Sequence, residues 1–175
     1  MSEKIPSRTL WAVDLLNILP DQKILEIGCG FGFAVFAISA ELETGCVTAI
    51  DSSAKMIAAT CDLNRENIER GKCEILQLDW LAASSLGKRF DTIFVYNMNV
   101  LWMDPKAELE IVTKLLTDNG RFFIFHQPPP GNDPREYAAE FEKNLTANNF
   151  NIETIEFNDD ESIRSVCVAT KPTRR

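Results

Sequence analysis

Three glycines on alternate positions close an apolar run. Lys23-Ile-Leu-Glu-Ile27 leads into Gly28-Cys29-Gly30-Phe31-Gly32. The run is the length of one short buried strand, and the largely apolar stretch from Gly32 to Leu42 after it reads as a helix. Glycine allows the tight turn between them and removes the Cβ that would block a ligand. The free N–H groups of the new helix point at the same place. A carboxylate or other polar edge of a ligand can sit there.

The alternation continues along the chain. Before the turn, Leu10 to Leu19 has the spacing of a mostly buried helix, closed by Pro20. After it, Cys46 to Ile50 reads as a second strand ended by Asp51. Ser52 or Ser53 can cap a long helix reaching Arg70, with Gly71 as its stop. Cys73 to Leu78 is a third strand, ended by Asp79, and Phe90 to Tyr96 a fourth, ended by Asn97. Pro105 to Leu116 is a helix capped by Asp104, and Arg121 to Phe125 a fifth strand. The proline-rich stretch Gln127 to Asp133 cannot be regular structure. Asp133-Pro134 opens another helix that ends near Asn148-Asn149. Asn151 to Phe157 and Arg164 to Thr170 close the chain as a strand pair. Strands that alternate with helices predict a parallel sheet covered on both faces. A ligand site then belongs at the carboxyl ends of the strands.

Length and charge narrow the function. The 175 residues fit one compact domain spanning 1–175. The net charge of −8 repels phosphate backbones, and Arg174-Arg175 with Lys72, Lys88 and Arg89 form no dense basic stripe, so nucleic acid is disfavoured. The five cysteines have no Cys-x-x-Cys pair and His126 is the only histidine, which argues against structural zinc. Free thiols suit a reducing cytosol. Residues 1–8 lack the apolar core of a leader, and no stretch reaches the ~20 apolar residues of a membrane span. A cytoplasmic protein is expected.

Asp51 falls 23 positions after Gly28. An acid at the end of the second strand can accept hydrogen bonds from both ribose hydroxyls of a nucleotide. A dinucleotide turn needs glycine at position 33, where this chain has Phe33, while glycine stands at 32. Here the sequence resembles the class I S-adenosylmethionine-dependent methyltransferases, whose first motif is Glu/Asp-x-Gly-x-Gly-x-Gly. Glu26, Gly28, Gly30 and Gly32 fill that pattern. The resemblance extends to Asp51, to Asp79-Trp80 after the third strand, to Asn97, to Leu116–Phe125 and to the closing hairpin.

The resemblance implies an α/β, Rossmann-like three-layer sandwich. Its seven-stranded, mostly parallel sheet would have the order 3-2-1-4-5-7-6 with strand 7 antiparallel. It implies S-adenosylmethionine as cofactor, held by Glu26, Gly28, Cys29, Gly30, Gly32, Asp51, Ser52, Asp79, Trp80 and Asn97. Plainer roles stand beside these. Glu26 could cap backbone groups of the turn, Asp79 could cap a helix, Trp80 could pack in the core and Asn97 could serve the turn alone. His126 could take a proton from an acceptor, or be a structural residue. Tyr96, Met98, Asn99, Trp102 and Tyr137 are candidates for an acceptor pocket. The Gln127–Asp133 loop and the helix around Trp11 could form and gate that pocket, or act as a connector and a packing helix.

The absence of Asn/Asp-Pro-Pro-Tyr/Phe after the fourth strand, and of a Pro-Cys nucleophile, favours a small-molecule acceptor. A non-catalytic cofactor-binding module is the alternative. A nicotinamide oxidoreductase is disfavoured by Phe33.

Overall fold

The computed structural model describes residues 4–173. The Arg174-Arg175 pair and the first three residues of the segment weighed above as a leader lie outside them.

In chain order the elements are α1 (Ser7–Leu16), β1 (Lys23–Ile27), α2 (Phe33–Glu41), β2 (Cys46–Asp51), α3 (Ala54–Leu63), α4 (Arg65–Glu69) and β3 (Cys73–Gln77). They continue with β4 (Phe90–Tyr96), α5 (Lys106–Leu115), β5 (Leu116–His126), α6 (Pro134–Ala147), β6 (Phe150–Asn158) and β7 (Ser165–Pro172). Two 3-10 turns, Trp80–Leu86 and Asn99–Trp102, flank β4. The sheet order is β3-β2-β1-β4-β5-β7-β6, with β7 antiparallel to both of its neighbours.

Side-chain alternation along the central strands builds a core on each face. Leu25, Ile27, Phe122 and Ile124 pack with α5, α6 and the 3-10 turns. Ile24, Phe94, Phe123 and Phe125 pack with α1 and α2. No helix is long and apolar enough to cross a membrane among the described residues.

Several local expectations differ from the structure. The first helix stops at Leu16, because Asn17 turns left-handed at φ 48°. Leu10 and Leu19, expected in the core, are exposed. The helix expected from Ser52 or Ser53 to Arg70 breaks at Asn64 into α3 and α4. Ser53 is its cap, accepting from Met56 N at 3.4 Å. Asp104 caps nothing: α5 starts after Pro105 without a side-chain cap. The fifth strand begins at Leu116 instead of Arg121, and its pairing with β4 is irregular between Phe90 and Thr92. Gly120 lies within that strand, where a Cβ would sit 2.9 Å from Phe90 O. Its smallness permits this close approach. Asp133 caps α6 as read, accepting from Arg135 N at 3.0 Å.

Candidate functional site

The glycine turn leaves β1 at the carboxyl edge of the sheet. Gly28, Gly30 and Gly32 all have positive φ, at 80°, 54° and 77°. Each is needed for a different reason. A Cβ on Gly28 would lie 3.0 Å from Met98 Sδ. A Cβ on Gly32 would lie 2.5 Å from Thr60 Cγ2 and 2.9 Å from Asn64 Nδ2. A Cβ on Gly30 would meet nothing within 4 Å. The space over Gly30 is therefore open, and there the missing side chain leaves room for a ligand.

The turn is held from two sides. Gly28 N and Cys29 N both donate to Ile50 O, at 2.8 and 3.1 Å. The Asp51 carboxylate accepts from Gly30 N at 3.0 Å with one oxygen and from Ser53 N at 2.8 Å with the other. From below, Thr60 Oγ1 donates to Gly30 O at 2.7 Å, and Asn64 Nδ2 donates to Gly32 O at 3.1 Å and to Thr60 O at 3.0 Å. Thr60 and Asn64 are fully buried. Sequence reading missed this pair. The available signal was two polar residues four apart, on the face that a helix following Asp51 must turn inward. Asn64, whose amide is committed to two carbonyls, is also the residue where α3 gives way to α4.

A cavity of ≈ 200 Å³ opens over the turn, lined among others by Arg8, Glu26, Gly28, Gly30, Phe31, Tyr96 and Asn97. Glu26 is only 4% exposed, and its Oε2 is buried without a hydrogen-bond partner. Burial, and secondly the charge of Asp51, push its carboxyl up to about 8. A cationic group such as an ammonium placed beside this buried carboxyl would favour its ionised form and supply the partner that it lacks. The orphaned oxygen, the open space over Gly30 and the Asp51 carboxylate at the adjacent strand end together fit an amino-acid nucleoside. Cys29 lies in the same turn, its thiol 3.7 Å from Thr60 Oγ1 and pushed up to about 12 by burial and by Glu26.

The remaining expected cofactor residues are placed less centrally. Ser52 is exposed, and its carbonyl accepts from Gln77 Nε2 at 3.2 Å. Asp79 caps the 3-10 turn after β3, accepting from Leu81 N at 2.9 Å. Trp80 is 6% exposed and belongs to the core beneath that turn. Asn97 turns left-handed at φ 56°, and its Oδ1 accepts from Gln127 N at 2.8 Å, clamping the end of β5 to the end of β4.

A larger cavity of ≈ 670 Å³ lies beside the first. Asn97, Asn99, His126, Gln127, Pro128 to Gly131, Glu161, Arg164 and Arg8 line it. Arg8 and Asn97 line both cavities, so the two adjoin. Arg8 Nη1 donates to Gln127 Oε1 at 3.2 Å and its guanidinium lies 5.9 Å over the Tyr96 ring. The proline loop and the N-terminal helix thus do meet at this edge, through Arg8. Trp11, in contrast, packs edge-on against Phe125 at 5.9 Å, in the core.

His126 is 5% exposed, and neither ring nitrogen has a hydrogen-bond partner among the described residues. Burial lowers its imidazole to about 4, so the ring is neutral at physiological pH. Tyr137 packs on it at 4.4 Å and Phe141 edge-on at 5.8 Å. Of the other acceptor candidates, Asn99 lines the large cavity and Tyr96 the small one. Met98 packs under Gly28. Trp102 and Tyr137 form an edge-to-face pair at 5.8 Å behind His126, packed on the core. No group of three or more His, Cys, Asp or Glu that could hold a metal occurs among the described residues.

A sheet in this order, with a glycine cradle after its first strand and an acid after its second, defines the Rossmann-like class I methyltransferase fold. The methyltransferase domain family matches residues 25–122, more than half of the chain. YrhH of Bacillus subtilis (strain 168), which carries a methyltransferase name, is 25% identical over 130 residues, covering 71% of this chain and 68% of its own. The solved glycopeptide N-methyltransferase MtfA superposes with a TM-score of 0.77 at 15% identity, over 98% of this chain and 92% of that one. The Methanococcus jannaschii fibrillarin pre-rRNA processing protein does so with 0.77 at 17% identity, over 97% and 77%. The chain belongs to the methyltransferase domain family. It is an S-adenosylmethionine-dependent methyltransferase, with S-adenosylmethionine as its cofactor.

Proposed function

We propose that this enzyme transfers the methyl group of S-adenosylmethionine in line to a small-molecule acceptor bound in the ≈ 670 Å³ cavity beside the glycine turn, leaving S-adenosylhomocysteine. The observation that carries this reading is the adjacency of the two cavities across Arg8 and Asn97. The volume lies in the range of small-ligand pockets, roughly 300–1,000 Å³. The net charge of −8 adds long-range repulsion against a nucleic acid.

S-adenosylmethionine supplies a methyl already activated on a sulfonium. The chain's part is to bind, orient and exclude water, which can contribute ~7–11 kcal/mol. Asp51 would accept from the ribose hydroxyls, and Glu26 would face the cationic amino-acid end. Gly30 leaves the approach clear. Asn97 fixes β4 against β5 at the boundary between donor and acceptor. His126, neutral at the acceptor cavity, can accept a hydrogen bond from a protic nucleophile.

Glu26 gives the reading a pH signature. Its pKa is raised from 4.5 to about 8 in the ligand-free protein. The folded state therefore holds a proton that the unfolded chain releases near 4.5. That contribution to stability is complete below 4.5 and is lost as pH rises through about 8. A cationic ligand favours the ionised form, so cofactor binding releases a proton below pH 8 and affinity rises with pH, up to about tenfold per unit for a single coupled proton. Calorimetry of S-adenosylhomocysteine in buffers of different ionisation enthalpy measures the release. Glu26→Gln is expected to remove it.

The acceptor reading is tested with S-adenosylmethionine carrying a labelled methyl and a small-molecule extract. Label should enter small molecules. In a variant with Pro128-Pro129-Pro130 replaced by Gly-Ser-Gly, cofactor affinity should hold while transfer falls about tenfold or more, because ordering the flexible loop costs entropy that the prolines have already removed. Label entering only protein or RNA contradicts the reading. Cofactor binding without transfer to anything favours the non-catalytic alternative.

A further inference from the structure

Five of the arginines in the described residues are each paired with a carboxylate. The pairs are Arg65–Asp62, Arg70–Glu66, Arg89–Asp118, Arg121–Glu153 and Arg135 with Asp133 and Asp159. Arg8 and Arg164 are the two that form no ion pair among the described residues, and both line the ≈ 670 Å³ cavity. This happens in a chain with 26 acidic residues to 18 basic ones, where a carboxylate partner is statistically easy to find. The cavity wall holds one carboxylate, Glu161, against the two guanidinium groups.

The second observation is independent of the first. His126 lines the same cavity, is 5% exposed and leaves both ring nitrogens unpartnered. Buried polar atoms without partners in a folded protein are rare and call for a missing partner. The geometry points to an acceptor that carries an anionic group, a carboxylate or phosphate, for Arg8 and Arg164, and a separate protic group that hydrogen-bonds to His126. This rests on the reading of the cavity as the acceptor site. Guanidinium suits such an anion because its planar fork donates two parallel hydrogen bonds. Gln127 supports the arrangement: it accepts from Arg8 at 3.2 Å, and its own amide donates to Ser162 O at 3.4 Å, in the turn that carries Arg164. Pro128 to Pro130 add a stiff stretch to the cavity wall. In this arrangement the protic group at His126, and not the anion, receives the methyl, so the anion survives in the product.

The test uses the full chain, S-adenosylmethionine labelled in its methyl, and a protein-free and nucleic-acid-free extract passed over an anion exchanger after reaction. Labelled product should be retained on the exchanger. Arg164→Gln, which touches the acceptor cavity and not the cofactor one, should raise the KM for the retained acceptor roughly tenfold or more. It should leave S-adenosylhomocysteine affinity within error, and Arg164→Lys should restore part of the loss. Labelled product that flows through uncharged overturns this inference and leaves the small-molecule reading standing. Retained product whose formation is indifferent to both Arg164→Gln and Arg8→Gln overturns it as well. Absence of any labelled small product removes the small-molecule reading and the inference with it.

Discussion

Asp51→Ala is expected to lower cofactor affinity by roughly 10- to 150-fold, the equivalent of ~1.5–3 kcal/mol for hydrogen bonds to a charged group. The structure adds a second effect. In the ligand-free protein the carboxylate already accepts from Gly30 N and Ser53 N. Alanine leaves both donors to find other partners, and a loss of about 1–3 kcal/mol of stability should follow. Asp51→Asn separates the two effects. Its amide oxygen can still accept from one of the N–H groups, so part of the stability returns, while the charge that strengthens the ribose bonds does not. The charge of Asp51 also helps to raise the Glu26 carboxyl. In both variants the proton release on cofactor binding should therefore move to lower pH. Thermal unfolding and calorimetry with S-adenosylhomocysteine read all three outcomes. Affinity unchanged in Asp51→Ala would remove the ribose role.

Gly32→Ala and Gly30→Val should fail in opposite ways. The Cβ that Gly32→Ala adds would press into Thr60 and Asn64, the two residues that hold the turn from below, at a left-handed backbone position. Backbone strain and overpacking together should cost about 2–5 kcal/mol, seen as a large drop in Tm. The Cβ that Gly30→Val adds meets no protein atom, so the fold should persist, with about 1–2 kcal/mol of backbone strain. The branched side chain fills the space above the turn, so cofactor binding should be lost. A Gly30→Val protein that binds S-adenosylhomocysteine normally would show that the open space lies off the cofactor's path. An unaffected Gly32→Ala would show that α3 gives way cheaply.

The strand–helix alternation and the glycine turn were legible in the sequence because both are local. The runs that end β2, β4 and β5 are largely apolar and closed by Asp51, Asn97 and His126, and three alternate glycines have few other uses. The sheet order came through resemblance, since alternation alone predicts parallel pairing without fixing neighbours. Asn64 shows what remains hidden. On helical spacing it continues a helix, and nothing local marks it as the residue whose amide serves the Gly32 carbonyl where α3 gives way to α4. Gly120 is a similar case: nothing local shows that its smallness serves the close approach of Phe90 O inside a strand. The pocket residues were half visible. His126 and the proline loop followed from their position after the fifth strand. Arg8 and Arg164 stayed hidden because nothing in the sequence distinguishes an unpaired arginine from a paired one.

The most direct test of cofactor recognition at the glycine turn is an isothermal titration of the wild-type chain with S-adenosylmethionine, S-adenosylhomocysteine and NAD. One site is expected for each of the first two ligands, lost in Gly30→Val, and no heat from NAD. Binding of NAD, or binding of S-adenosylhomocysteine that survives Gly30→Val at full affinity, would contradict that assignment.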